Sequence, residues 1–237
     1  LEQALELANA ASREHPCRVI AISPRRGNGA RKPVEGAPEP AEDADAAYDN
    51  SNLDAQVRFG ADAGAGEIIV LHPRGGLVHH PDTLVIPLLV PDAPVVAWWP
   101  NEAPANPSKD LLGAMARSRI TDAMHSSNPY RTIEDLRRNW SPKNVDMAWT
   151  RLTVWRAMLA TMLDQPPHLP ISTVKVSGPK GFLPMDLLAA WLRLKLNVPV
   201  IMEEVPGAMA RLRRSSTASS AKTQGKPWRI AWGLDFG

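Results

Sequence analysis

Cysteine is almost missing: Cys17 is the only one in 237 residues. That excludes an intramolecular disulfide and a structural zinc site built on several thiolates, and it fits a reducing compartment. No apolar run reaches the roughly 18 residues of a membrane span, and nothing at the start reads as a signal peptide. The chain therefore reads as cytoplasmic. Leu1 already falls inside a helical period with no Met before it, so an upstream piece is expected. An excess of one charge is lacking too, since 27 basic against 25 acidic side chains leave +2. A balance that small does not by itself point to nucleic acid.

Catalytic signatures are the next absence. The chain has no G-x-S-x-G elbow, no Walker loop, no G-x-G-x-x-G after a strand and no H-E-x-x-H. The weaker candidates fare little better. Ser177-Gly178-Pro179-Lys180-Gly181 sits between a strand and a helix, where α/β folds hold phosphates, but Pro179 removes an amide donor. An ordinary turn is favoured there, and a sugar-phosphate sensor or enzyme using Ser177–Gly181 is the alternative function. His72, His79 and His80 with Asp82 lack the spacing that converges ligands on one metal, so surface or capping histidines are favoured. Cys17 opens an apolar strand and is expected to be an inert buried thiol.

What is present is an alternation of helical and strand periods. Residues 1–14 place Leu1, Leu5, Ala8 and either Ala11 or Ser12 on one helical side, and His15-Pro16 ends the run. Cys17–Ser23, Leu53–Phe59 and Glu67–Leu71 read as strands, and residues 24–52 as a mobile Pro- and Gly-rich loop. Three prolines limit residues 79–92 to a short helix and a packed loop. Residues 109–124 are expected to form a helix. So are residues 141–165, capped by Asn144 or Asp146, with Trp149, Leu152, Trp155 and Leu159 on an apolar stripe. STVKVSG, MDLLAAWLRLKLN and VPVIMEE then give strand, helix, strand. The expected fold class is α/β: a mostly parallel sheet with flanking helices, followed by a smaller, apparently truncated α/β C-terminal domain. PPHLP at 166–170 is the expected linker, dividing residues 1–166 from 167–237, with 204–237 irregular.

Aromatic residues make up 5% of the chain, yet eight are Trp. Two of them, Trp98 and Trp99, close the strand PVVAWWP, where neighbours point to opposite faces. Helices on both faces would bury both rings. An uncovered strand end would leave one ring in the crevice where α/β folds bind ligands. Residues 117–156 carry eight basic side chains, Arg117 and Arg119 through Arg151 and Arg156, against four acids. With Trp140, Trp149 and Trp155 interleaved they could bind nucleic acid. Arg151 and Arg156 stand about 140° apart on a helix, so they form no single stripe, and solvated arginines are favoured.

Several long strings lie in order from about residue 1 to about residue 203: HPCRVIAI, GEIIVLHPRGGLVHHPDTLVIPLLVPDAPVVAWWP, RSRITDAM, DMAWTRLTVWRAMLATMLDQ and MDLLAAWLRLKLNVPV. Together they resemble the glucose-6-phosphate dehydrogenase assembly proteins of the OpcA type. The resemblance implies a partner of that dehydrogenase, the entry enzyme of the oxidative pentose phosphate pathway, with no catalytic residues, cofactor or metal of its own. Beyond residue 203 the resemblance stops where a longer C-terminal domain is expected. The family supplies no ligand list. By position and residue type, Trp98, Trp99, Arg117, Arg119, Asp122, Arg151 and Arg156 are the candidate partner-binding residues, and neither membrane nor nucleic acid is expected as a partner.

Overall fold

A computed structural model describes residues 1–24, 51–59, 66–166, 168 and 170–205, and the backbone of 211–215. Most of the expected loop at 24–52 and most of the tail beyond 204 lie outside the described residues. The chain is mixed α/β and divides into two compact units. One comprises Leu1–Ala97 with Lys109–Arg117, the other Trp98–Ser108 with Ser118–Gly237. A single mostly parallel sheet is not what forms. The described strands make three small sheets of three strands each, because no run of β-branched residues here exceeds a few positions before Pro, Gly or a polar residue ends it.

In the first unit α1 spans Glu2–Glu14 and stops where the His15 N–H closes on the Ala11 carbonyl at 3.1 Å. Strands β1 (Arg18–Ile22), β2 (Asn52–Arg58) and β3 (Glu67–Arg74) follow. β3 lies in the centre, parallel to β1 and antiparallel to β2. Register puts Val19 opposite Ile68 and Ala21 opposite Val70, and Leu5 of α1 covers that face. Each buried aliphatic there contributes about 1.5–3 kcal/mol. Cys17, expected to be buried, is exposed, because the ladder begins one residue later at Arg18, which pairs with Glu67 at 2.8 Å. His72, by contrast, is buried in β3 with its Nδ1 3.0 Å from the Ser23 carbonyl oxygen. Helix α2 (Pro81–Val85), a 3₁₀ turn at Ile86–Leu88 and the short helix α3 (Leu111–Met115) belong to the same unit.

Two expected helices are each broken by a strand. Residues 109–124 contain α3, capped by Asp110 accepting from Leu112 and Gly113 N–H groups. The helix stops there, and β5 (Ser118–Thr121) begins, alternating half-buried and buried side chains with period two. Residues 141–165 begin with β6 (Asn144–Asp146), pass through the single-turn α5 (Met147–Thr150), and continue as α6 (Thr153–Leu163). β5 and β6 run parallel, with Arg119 opposite Asn144 and Thr121 opposite Asp146. Pairing of these two short strands overrides the helical period of each segment. The strand order is β4-β5-β6, where β4 is Val96–Trp99.

The second unit also holds α4 (Pro129–Arg138), β7 (Thr173–Gly178), α7 (Leu183–Leu196), β8 (Val200–Glu204) and β9 (Arg211–Ser215). β7 is flanked by parallel β8 and antiparallel β9, so regular pairing recurs within the tail. Val174 and Val176 of β7 pack with Met185, Leu188, Ala189 and Leu192 of α7 and with Leu159 of α6. Asn197 ends α7 in the left-handed region at φ 52°, one of few residues that reach it cheaply. Among the described residues no helix is long and apolar enough to cross a membrane.

Gly66 supplies a test of the first sheet. A Cβ built on it would run into the Cys17 carbonyl, a backbone atom that cannot swing aside. Gly66→Ala is expected to destabilise the chain by about 1–3 kcal/mol, read as a lower urea midpoint. An unchanged midpoint would contradict the packing of β1 on β3.

Candidate functional site

Parallel strands expose their side chains and backbone beyond their carboxyl ends, and in this chain charged groups gather there. β5 delivers Thr121 and Asp122, and β6 delivers Asp146 beside them. Asp146 joins both exits. Its Oδ2 accepts from the Thr121 hydroxyl at 2.7 Å and the Ala123 N–H at 3.0 Å, and its Oδ1 accepts from the Ala148 N–H at 2.9 Å. The same carboxylate therefore ties the end of β5 and starts α5, as its expected capping role requires.

Asp122 is 4% exposed. A buried carboxylate needs a partner, and Arg151 provides one. Its Nη1 and Nη2 donate to the two Asp122 oxygens at 2.8 and 2.7 Å, the bidentate geometry that guanidinium favours. His125, at the end of the 3₁₀ turn Ala123–His125, places Nδ1 2.8 Å from Asp122 Oδ2. Burial alone would push the Asp122 carboxyl up, but the Arg151 and His125 hydrogen bonds outweigh it and hold it below the ordinary range. The bond to Asp122 in turn pushes the Arg151 guanidinium up. Asp122 thus stays a carboxylate, committed to its partners, which suits a fixed charge pair better than a proton-transferring acid or base.

Beside this pair α5 and α6 present a second feature. Trp149, expected on the buried stripe, is 37% exposed, because the break at 151–152 turns α5 away from the axis of α6. The Arg156 guanidinium lies 3.9 Å from the centroid of its ring. That stacking is worth about 0.5–1 kcal/mol at an exposed site. Arg156 also donates to Thr153 Oγ1 at 3.1 Å, so the cation is held in place over the indole.

Two of the seven candidate residues are joined directly. Asp122 and Arg151 touch, and Arg156 stacks nearby in sequence on Trp149. Arg119 is buried in β5 and reaches Asn144 Oδ1 at 3.4 Å. Trp98 and Trp99 are half-buried in β4, and Arg117 is exposed within the first unit. His125 escaped sequence reasoning, and Trp149, expected on the buried stripe, turns outward. The His–Asp spacing of three in TDAMH is the available signal, and the helix expected at 109–124 conceals it.

The other candidate sites weaken on inspection of their partners. Ser177 of the SGPKG turn donates to Glu203 at 3.3 Å, and Glu203 also pairs with Lys175 at 2.8 Å. A carboxylate thus occupies the hydroxyl that a phosphate would need. In the basic stretch, Arg137 and Arg138 both close on Glu134 at 2.8 and 3.1 Å. Those bonds, Arg137 first, hold Glu134 down to about 2. A polar cavity of about 270 Å³ lies between the 102–105 segment and the start of α4, lined by Glu102, Ser127, Asn128, Arg131 and Asp135. Its two carboxylates offset the guanidinium, so it has no marked preference for an anion. Among the described residues no group of three or more His, Cys, Asp or Glu is disposed to hold a metal.

Comparison with known families decides the wider question. Residues 8–138 match the model for the N-terminal domain of a glucose-6-phosphate dehydrogenase subunit. Residues 142–226 match the model for the corresponding C-terminal domain. The chain belongs to the OpcA family of glucose-6-phosphate dehydrogenase assembly proteins. Comparison with curated proteins and with solved structures returned no match. The family match runs past residue 203, where the resemblance was expected to stop, and takes in β9. The Asp122–Arg151 pair therefore links the two family segments, Asp122 lying in the N-terminal one and Arg151 in the C-terminal one.

Removing one partner of a mostly buried ion pair leaves the other uncompensated, at a cost of about 3 kcal/mol. Asp122→Ala is expected to lower stability by that amount in chemical denaturation at pH 7. The pH dependence follows from the sign of the shift. The folded-state value lies below the ordinary 3.8, so the contribution is present in full above about pH 4 and is lost as pH falls through the folded value. The stability gap between wild type and Asp122→Ala should hence narrow below pH 4. A gap independent of pH would remove the ion pair as its cause.

Proposed function

We propose that this chain is a non-catalytic cytoplasmic partner of glucose-6-phosphate dehydrogenase, which docks on the enzyme and biases its oligomer or its active conformation. The observation that carries this reading is the pair of consecutive family matches, both described as domains of a subunit of that dehydrogenase and together running from residue 8 to residue 226. Supporting it, Asp122 at the end of β5 is held by Arg151 and His125, and Asp146 at the end of β6 by the Thr121 hydroxyl and two backbone N–H groups, so both carboxylates are committed to fixed partners.

Docking residues must reach solvent. Among the candidates Arg156 with its platform Trp149 is best placed, since Trp and Arg carry a disproportionate share of interface energy. Arg151, bound to Asp122, and the buried Asp122 and Arg119 act by holding β5 and β6 in position. Trp98, Trp99 and Arg117 are assigned a secondary part. To activate, the chain must bind the competent form of the enzyme more tightly; a tenfold preference corresponds to about 1.4 kcal/mol. Neither nucleic acid nor a bound cofactor enters this scheme.

The full chain mixed with the dehydrogenase is expected to co-elute with it and to change its turnover. Trp149→Ala and Arg156→Ala should each weaken the complex tenfold or more while leaving the melting temperature within about 3 °C. Separate elution with unchanged dehydrogenase kinetics would dispose of the reading. Full binding by both variants would retain the partner and relocate the surface.

A further inference from the structure

The polar cavity beside α4 holds a charge that its own residues leave unanswered. Asn128, Arg131, Thr132 and Asp135 stand at i, i+3, i+4 and i+7, so they share one side of the helix. Leu136, on another side, is buried in the core. The segment that follows β4 runs along the first side and is fastened at both ends. Near the start of α4 the Ser127 N–H donates to Glu102 Oε1 at 2.6 Å. Near its end the Asn139 side chain donates to the Ala105 carbonyl at 2.9 Å, and Asn106 Nδ2 donates to Asn139 Oδ1 at 3.1 Å. Between those fastenings helix and segment enclose about 270 Å³.

The lining is rich in acceptors with little to accept. Asp135 has a side chain only 30% exposed, yet among the described residues no hydrogen bond reaches its carboxylate. Its ion-pair contact there is Arg131 Nε at 3.9 Å, beyond hydrogen-bond reach. A carboxylate so far withdrawn from water calls for a donor. Glu102 uses one oxygen on the Ser127 N–H, and a carboxylate has about four lone-pair sites, so most of its capacity remains. Arg131 does not fill the space, since its side chain is 80% exposed. Two carboxylates against one guanidinium leave the lining one net negative charge. On the segment side, Ala103, Pro104 and Ala105 supply an uncharged wall.

Pockets for cofactors and drug-sized molecules occupy roughly 300–1,000 Å³. This one is smaller, suiting a single side chain better than a nucleotide, and its charge repels an anion. A guanidinium has five N–H donors and no acceptor, and it gives up water more readily than an ammonium. Its methylene stem packs well along an apolar wall. We propose that the cavity between residues 102–105 and α4 receives an arginine side chain presented by a partner protein. Glu102 and Asp135 take the guanidinium, and the wall at 103–105 takes the stem. Arginine is among the residues that most often anchor protein interfaces. None of the residues assigned above to docking on the dehydrogenase lines this cavity.

N-Acetyl-L-arginine amide reproduces such a side chain without a free carboxylate. Titrated into the full chain, it should shift the backbone amide resonances of Ser127, Arg131 and Thr132 saturably, and added salt should weaken the effect. Glu102→Gln and Asp135→Asn preserve shape and remove charge. Each should weaken binding about tenfold while leaving the melting temperature unchanged. The uncharged N-acetyl-L-glutamine amide should not saturate the site. Absence of a saturable shift with the arginine compound overturns the proposal, as does equal binding of the two compounds or full binding by either variant. Tighter binding of free L-arginine than of the capped amide overturns it too, since the occupant is then a free metabolite. The titration involves no dehydrogenase, so its failure would not bear on the docking reading.

Discussion

Two charges withdrawn from water together hold the second unit in order. Asp122 is nearly inaccessible, and without Arg151 its carboxylate would be an expensive group to bury. With both guanidinium nitrogens aimed at it, the end of β5 is bound to the turn that follows α5, and His125 completes the contact. Asp146 performs the neighbouring task with neutral donors, binding the Thr121 hydroxyl and two backbone N–H groups. Two carboxylates thus fasten two parallel strands of four and three residues, too short to be stable by their own ladder. The placement of Trp149 and Arg156 depends on that fastening.

Much of the architecture is legible where one period dominates. α1, α7, β7 and β8 appear where hydrophobic spacing, Pro16, Pro184 and Asn197 place them. The Pro-interrupted segment 79–92 forms the short helix and turn that three prolines allow. Legibility fails where a strand is shorter than one helical period. Ser118–Thr121 and Asn144–Asp146 are too brief to display alternation, and the helical residues around them conceal it. Only their mutual pairing, a long-range fact, reveals them.

The site shows the same division. Residue type and likeness to a family single out Asp122, Arg151 and Arg156, and the fold joins the first two at hydrogen-bond distance. Sequence spacing could not have joined them, since 29 residues separate them. His125 lies within reach of an Asp–His pattern that the expected helix obscures. Trp149 departs from expectation because the stripe through 149, 152, 155 and 159 presumes one straight helix, and the break between α5 and α6 rotates its first member outward.

The division of the chain into units has a consequence for biosynthesis. The first unit is not contiguous: after Ala97 the chain spends residues 98–108 in the second unit and returns for Lys109–Arg117. Emerging from the ribosome, the N-terminal unit lacks α3 until part of its successor has already been made. No single scissile point separates the two, and vectorial synthesis must keep an unfinished core waiting for its last helix.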